Sequence, residues 1–405
     1  MVNEEEQSID VLCLGCTDEK CDFRPILLKR RAAGPDDIVI DMRFCGVCHT
    51  DLHTAAGHLT GLVGSIYPND VCVPGHELSG VATFVGSNVT GFKIGDKIGV
   101  GCMVDSCLNC TNCLQGEEQL CSGKNTATYG GANKFGRAAV FPKGSKTLGG
   151  YTKTMVVHHK FAVLIPDDYP LESAGPVMCA GVTLYDPLKR YGATEGSVVA
   201  IVGIGGLGDM GIKVAKALGC SVTAISSTSS KETLAKAAGA DVYICSSDAA
   251  AMASNAGRFD LVLNTIPSEH DYNAFTPLLK KTGKHVILGL NSAIVGATIA
   301  SSIVCGTRFR ASGIGGIKAT QEVIDLCAKN KIYPNIEIVR AEKMNSVYET
   351  LDSKNIGALR FVLDVSTIKH EGFNAQPPPK ISPSKGLSVG GSLGTILDMV
   401  FGFRG

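Results

Sequence analysis

Apolar and polar positions change rhythm along the chain near residue 197. Before that point, short runs such as DIVIDMRF, SGVATFVG and DKIGVGC mix apolar and polar positions and are broken by Gly, Pro and Asp turns. This texture predicts an irregular β-rich unit from about Ile9 to Cys102. From Ser197 the rhythm becomes strand then helix: SVVAIVG and LGDMGIKVAKALG, SVTAISS and KETLAKAAG, then FDLVLNTI and KHVILGL. Strands that are apolar throughout bury both faces, so this half predicts a parallel sheet covered by helices on each side, an α/β architecture. TQEVIDLCAKNKI reads as one more amphipathic helix. ALRFVLDV, around Phe361, reads as a strand that rejoins the β-rich unit, which makes the sheet unit an insertion. After Val365, QPPPKISPSKG cannot sustain a helix or a central strand and predicts a flexible linker. The more apolar end, LSVGGSLGTILDMVFGFRG, reads either as a loosely attached terminus or as a docked segment.

Composition narrows the partners. In 405 residues, Lys+Arg and Asp+Glu are both 38, which removes a bulk electrostatic case for nucleic acid or an anionic membrane. No window has the length and apolarity of a membrane span, and the acidic start MVNEEEQSID has no signal-peptide core, so a cytoplasmic enzyme with a small-molecule ligand is expected. Sixteen cysteines in such a chain point to reduced thiols, some of them binding metal, rather than to disulfides.

Spacing separates the thiols. CLNCTNCLQGEEQLC places Cys107, Cys110, Cys113 and Cys121 where four thiolates can close a tetrahedral shell. Such a shell leaves no room for water or substrate, so the site is structural. Zinc is the expected ion, and an iron–sulfur cluster is the alternative. Cys45, Cys72 and Cys102 have no patterned partner and read as core residues. Cys48 in CGVCHTDLH, His76 and Glu77 in VPGHELSG, and Cys179 in VMCAGVTLYDPL are each weak alone; together, Cys, His and Cys make a three-ligand shell with an open fourth position, as catalytic zinc requires.

SVVAIVGIGGLG joins an apolar strand to Gly203, Gly205, Gly206 and Gly208 and leads into a helix, which is a dinucleotide fingerprint. At the end of the following strand an NAD-selective site would present a carboxylate. Ser226, Ser227 and Thr228 stand there instead, with Lys231 shortly after, and these groups can accept the 2′-phosphate of NADP. Lys231 also admits a plain reading as a solvated helix residue. Asp209, directly after the glycines, is expected to face solvent.

CGVCHTDLH, VPGHE, the four-cysteine lobe, CAGVT, VGIGGLG and SGIGG follow one another at spacings that closely resemble zinc-dependent medium-chain alcohol dehydrogenases of the cinnamyl-alcohol-dehydrogenase-like branch. The resemblance covers about residues 9–366. It implies a distorted β-barrel, GroES-like catalytic domain at 1–178 and 318–368, a doubly wound Rossmann domain at 179–317, and a tail at 369–405. Catalytic zinc is then assigned to Cys48, His76 and Cys179, with Glu77 behind it or as a transient ligand; His76 and Glu77, adjacent on extended chain, are expected to point apart.

The resemblance assigns a proton relay to Thr50 and His53, which also admit plain readings as a turn-forming hydroxyl and a surface imidazole; Asp51 reads as bracing the loop or a ligand histidine. His49 reads either as a contact to cofactor phosphate or as packing or a loop hydrogen bond. Thr183, Leu207 and Thr265 fall near the cofactor, and Ser312, Gly313 and Ile314 at the far edge of its cleft. The activity implied is reversible reduction of an aldehyde to a primary alcohol by NADP(H), with two zinc ions per chain and a homodimer. Reduction of a conjugated C=C or iminium is the alternative on this scaffold, and the intact Cys48, Thr50, His53, His76 and Cys179 argue against it. The chain has no Trp, whereas branch members acting on phenylpropenyl substrates commonly line their pocket with one, which puts a literal cinnamyl substrate in doubt.

Overall fold

The computed structural model describes residues 8–59, 66–67, 70–140, 144–268, 270–289, 308–353, 356–369 and 380–381. The tail predicted at 369–405 therefore lies almost wholly outside the described residues.

The first half is β-rich. Strands β1 (Ser8–Gly15) and β2 (Arg24–Arg31) pair in register as an antiparallel hairpin. The long strand β3 (Asp37–Gly46) organises the main sheet: it pairs with β4 (Leu78–Val85), which continues to β5 (Lys97–Val100). Ile38, Ile40 and Met42 alternate into the core, as DIVIDMRF predicted. Register shifts after Val39 and Met42 then turn Cys45 inward against Leu78. Strands β6 (Met103–Asp105) and β7 (Thr126–Ala127) bracket the four-cysteine lobe. Strands β8 (Thr154–His158) and β9 (Val163–Leu164) complete this part, β8 on β3 and β9 on β5.

The second sheet is parallel throughout. Its strands are β10 (Val198–Val202), β11 (Ser221–Ser226), β12 (Val242–Cys245), β13 (Phe259–Asn264), β14 (Leu279–Ile287) and β15 (Phe309–Ala311). They lie in the order β12-β11-β10-β13-β14-β15, doubly wound, so the strand order reverses between β10 and β13. Along β10, Val199 and Ile201 face one hydrophobic cluster and Ala200 and Val202 the other, which is why the strand reads as unbroken apolar sequence. The helix Ile317–Asn330 buries Val323, Ile324 and Cys327 in the first of these clusters.

The chain then returns. Strand β16 (Ile336–Arg340) pairs with β17 (Arg360–Asp364), and β17 lies antiparallel to β3, with Leu363 opposite Cys45. The ALRFVLDV strand is thus part of the first sheet. Among the described residues, no helix is long and apolar enough to cross a membrane.

Candidate active site and metal centres

Cys48 caps the N-terminus of the helix His49–Ala55. Its backbone N–H donates to Asp51 Oδ2 at 2.9 Å, closing a capping turn that holds the thiol at the helix entrance. The other oxygen of Asp51, which is fully buried, lies 3.0 Å from His76 Nδ1 and accepts the Gly75 N–H at 3.2 Å. Asp51 therefore does both things asked of it: it braces the loop and orients the imidazole, leaving His76 Nε2 as the free ligand atom. Burial opposes charge on His76, but Asp51 and Cys102 outweigh it and hold the pKa well above the usual histidine value.

Ligand atoms of Cys48, His76, Glu77 and Cys179 all lie within 4.8 Å of one another. His76 and Glu77 do not point apart as extended neighbours would. Gly75, in the left-handed region at φ 102°, bends the chain just before them, and both side chains reach one point. Room for the carboxylate comes from Gly46, where a Cβ would sit 2.0 Å from Glu77 Oε2.

Cys179 lies in a π-helical turn, Val177–Gly181, between the helices Leu171–Pro176 and Val182–Arg190. Pro176 supplies no N–H at that junction, so the regular ladder is interrupted there and the wider turn follows. Hydrogen bonding from the Cys179 thiol pulls Cys48 well below the ordinary thiol range despite burial, and His76 adds to it. Cys102, expected in the core with Cys45 and Cys72, is only half-buried, and it is the first cause of the raised Cys179 thiol pKa.

Two features near this group went unread in the sequence. Arg360, the first residue of β17, ion-pairs with Glu77 Oε1 through Nη2. Glu77 Oε2 and Arg360 Nε are buried without a hydrogen-bond partner, and Arg360 also packs on the glycine turn, where a Cβ on Gly206 would lie 3.3 Å from its Cγ. The legible signal was one cation at the mouth of an apolar strand. The second feature is His58, whose Nδ1 lies 3.1 Å from His53 Nδ1. Thr50 Oγ1 lies 3.7 Å from Cys48 Sγ on the same short helix, and the His49 and His53 ring centres are 6.4 Å apart.

The glycine turn follows β10. Gly203 has φ 88°, and a Cβ on Gly208 would fall 2.0 Å from the Gly203 carbonyl oxygen, so the turn closes only without side chains. The Thr265 hydroxyl bonds the Val202 and Gly203 carbonyls at 3.0 and 2.9 Å and braces it across the reversal point. Leu207 packs on the cluster beneath, and Thr183 is buried at the start of its helix. Ser226 is buried at the end of β11, whereas Ser227 and Thr228 are exposed. Lys231 reaches back to donate to the Ile204 carbonyl at 3.0 Å, over the turn itself. Asp209 does not face solvent: it is buried, and Lys213, one helical turn on, neutralises it at 2.7 Å. Ser312 bonds the Ile287 carbonyl at 3.1 Å, Gly313 is exposed, and Ile314 packs against the catalytic-side core.

In the lobe, ligand atoms of Cys107, Cys110, Cys113 and Cys121 also lie within 4.8 Å of one another. Backbone N–H groups point at sulfur: Cys110 N to Cys107 Sγ at 3.3 Å and Cys107 N to Cys121 Sγ at 3.4 Å. The Cys113 and Ser122 backbone N–H groups pull Cys110 down to about 5, while burial pushes Cys113 up to about 12. Arg137, from the long segment before GGY, pairs with Asp105 at 2.9 Å and anchors the lobe at its root.

Both donor sets fit zinc. Four converging thiols with N–H···S support make a closed shell; two thiols and an oriented imidazole, with an orphaned carboxylate oxygen beside them, make an open one.

Comparisons with known proteins agree. The family profile for an alcohol dehydrogenase GroES-like domain matches residues 34–167, and that for a zinc-binding dehydrogenase matches residues 206–329. NADP-dependent alcohol dehydrogenase C 1 of Mycolicibacterium smegmatis is 40% identical over 342 residues, covering 84% of this chain and 94% of that protein. A cinnamyl alcohol dehydrogenase structure from Sorghum bicolor superposes with a TM-score of 0.78 at 34% identity, covering 90% of this chain and 99% of the other. The CAD of Helicobacter pylori, complexed with NADP(H), gives 0.77 at 31% identity, covering 89% and 99%. Donor groups, glycine turn and these likenesses agree, and the chain belongs to the zinc-dependent medium-chain alcohol dehydrogenases, in their cinnamyl-alcohol-dehydrogenase-like branch.

Proposed function

We propose that the protein is an NADP(H)-dependent alcohol dehydrogenase that interconverts an aldehyde and a primary alcohol. The observation that carries this reading is the convergence of Cys48, His76, Glu77 and Cys179 within 4.8 Å. Zinc held there by Cys48, His76 and Cys179 supplies Lewis acidity toward the substrate oxygen, and the nicotinamide supplies or accepts hydride. Cys107, Cys110, Cys113 and Cys121 hold the structural ion. The test is an aldehyde panel assayed with NADPH and NADH, including substrates without a phenylpropenyl group. Oxidation of NADPH by none of them would sink the reading.

The chain's own residues divide the remaining work. Thr50 exchanges a proton with the substrate oxygen. His53, three residues on and so on the same helical face, takes it up, and His58 leads it to solvent. Burial, then the neighbouring His58 and His49, lower His53 from 6.5 to about 4, so its imidazole is neutral near pH 7 and a weak base that hands a proton on rather than keeping it. The folded value lies below the unfolded one, so the unfolded chain takes up the proton first, and stability is lost as pH falls from 6.5 toward 4. The melting temperature is expected to drop through that window, and His53→Gln to flatten the drop. An unchanged slope in the variant would remove the assignment.

Arg360 steadies Glu77 and lends its remaining N–H groups to the cofactor's pyrophosphate at the glycine turn. Ser226, Ser227, Thr228 and Lys231 take the 2′-phosphate. Replacing Lys231 by Ala is expected to raise KM for NADPH about tenfold, roughly the 1.4 kcal/mol of one charge-assisted bond, and to spare KM for NADH. Equal effects on both would exclude a phosphate contact. Thr183, Leu207, Ser312, Gly313 and Ile314 line the rest of the cofactor cleft, and His49 serves phosphate or loop packing.

We also propose the division into a catalytic domain and a Rossmann domain. The second junction is put at 317/318, where the helix Ile317–Asn330 begins: Ile317 packs against the catalytic-side core, while Val323, Ile324 and Cys327 join the cluster beside the parallel sheet. A cytoplasmic homodimer is the expected form, and sedimentation of the zinc-loaded protein tests the dimer.

A further inference from the structure

Outside both metal groups, three more thiols meet under the His49–Ala55 helix. Cys16 follows β1 directly, and Cys72 lies four residues before His76; they are 1% exposed each and face one another across an isolated antiparallel bridge. Each donates its backbone N–H to the other's carbonyl at 2.9 Å. Cys21, fully buried and held in the left-handed region at φ 57°, closes the group from the turn after Cys16. The Tyr67 hydroxyl lies 3.1 Å from Cys16 Sγ and 3.0 Å from the Ala55 carbonyl, so the cluster is tied to the last turn of the helix that carries Thr50 and His53.

We propose that Cys16 and Cys72 are an oxidisable dithiol that forms a disulfide with hydrogen peroxide or a similarly small peroxide. Residues opposed with reciprocal hydrogen bonds have Cα atoms about 5.5 Å apart and side chains on one face, within the range of about 4.4–6.8 Å that a disulfide spans. Cys21 has no such backbone pairing with Cys16. Cys16 is the nucleophile: hydrogen bonds from Cys21 and Cys72 pull its thiol well below the ordinary range against burial, whereas Cys21 and Cys72 are raised. The Cys16 thiolate attacks one peroxide oxygen, the O–O bond breaks and hydroxide leaves, giving a sulfenic acid. The Cys72 thiolate then attacks that sulfur and expels a second hydroxide; the two thiol protons end on the two waters. Two thiols are oxidised and one peroxide is reduced. The new bond joins the end of β1 to the segment that leads into His76.

The test uses the full-length zinc-loaded protein, treated with hydrogen peroxide, alkylated and digested without reductant. The expected product is a Cys16–Cys72 linked peptide lacking two hydrogens, reversed by dithiothreitol and absent in Cys72→Ser. Cys21→Ser should still form it. Zinc content and melting temperature of each variant report whether it has folded, and the linkage found in the unmodified protein decides the matter without them. A Cys16–Cys21 link in its place, or both thiols still free once other cysteines have oxidised, would overturn the proposal.

Discussion

Cys48→Ser is expected to lower kcat/KM for NADPH-dependent aldehyde reduction by at least about a thousandfold, roughly 4 kcal/mol of transition-state stabilisation, while the fold survives. Cys48 contributes one of two thiols in the open donor set, and its thiol already lies well below the ordinary range through Cys179 and His76. A serine hydroxyl in its place neither ionises at neutral pH nor binds a borderline-soft ion well. The fold does not depend on it in the same way, because Asp51 receives the backbone N–H of residue 48, not its side chain. The measurement pairs steady-state kinetics with metal analysis: zinc should fall from two equivalents to one, the four-cysteine lobe keeping its own. Full activity in a folded variant that had lost that ion would end the catalytic-zinc assignment.

Arg360→Ala is expected to cost about 3–5 kcal/mol of stability, the usual result of leaving one member of a buried ion pair alone. Glu77 is fully buried and Arg360 is its charged partner. Burial already raises the Glu77 pKa and Arg360 opposes the rise, so removing the guanidinium sends it higher. A carboxyl whose folded pKa exceeds the unfolded 4.5 loses stability as pH climbs from 4.5 through the folded value. The defect in Arg360→Ala should therefore deepen from acid to neutral pH, and Glu77→Gln in the same chain should restore much of the loss, since it removes the stranded charge. Thermal melts of both single variants and the double variant give the coupling. Additive losses would show that the pair is not coupled. If the guanidinium also meets pyrophosphate, KM for NADPH rises in Arg360→Ala and stays raised in the double variant.

Local pattern carried much of the architecture. The alternation in DIVIDMRF, the unbroken apolar strands after Ser197 and the thiol spacing between Cys107 and Cys121 each follow from geometry within a few residues, and each can be read without the rest of the chain. What escaped reading depends on long-range meetings. Arg360 and Glu77 are 283 positions apart, and no local rule couples them. The solvent-facing expectation for Asp209 failed because Lys213 neutralises it on the same helix, which lets a carboxylate be buried at the cofactor turn. Cys102 has no spacing partner in the sequence; the residue whose titration it perturbs most is Cys179, which sits in the π turn at Val177–Gly181. The wide turn itself was foreshadowed by Pro176, but its effect on where a thiol points belongs to the folded helix pair.

The pairing of β17 with β3 sets the order in which a growing chain can finish itself. All four thiols of the lobe have been made by residue 121, and the open donor set is complete in sequence at residue 179, well before β17 exists. Until β17 docks, Glu77 sits beside two thiols and an imidazole with no guanidinium to balance it. A ribosome-bound chain short of residue 360 should hold its first metal ion firmly and its second loosely, and the docking of β17 would convert the second site from provisional to permanent.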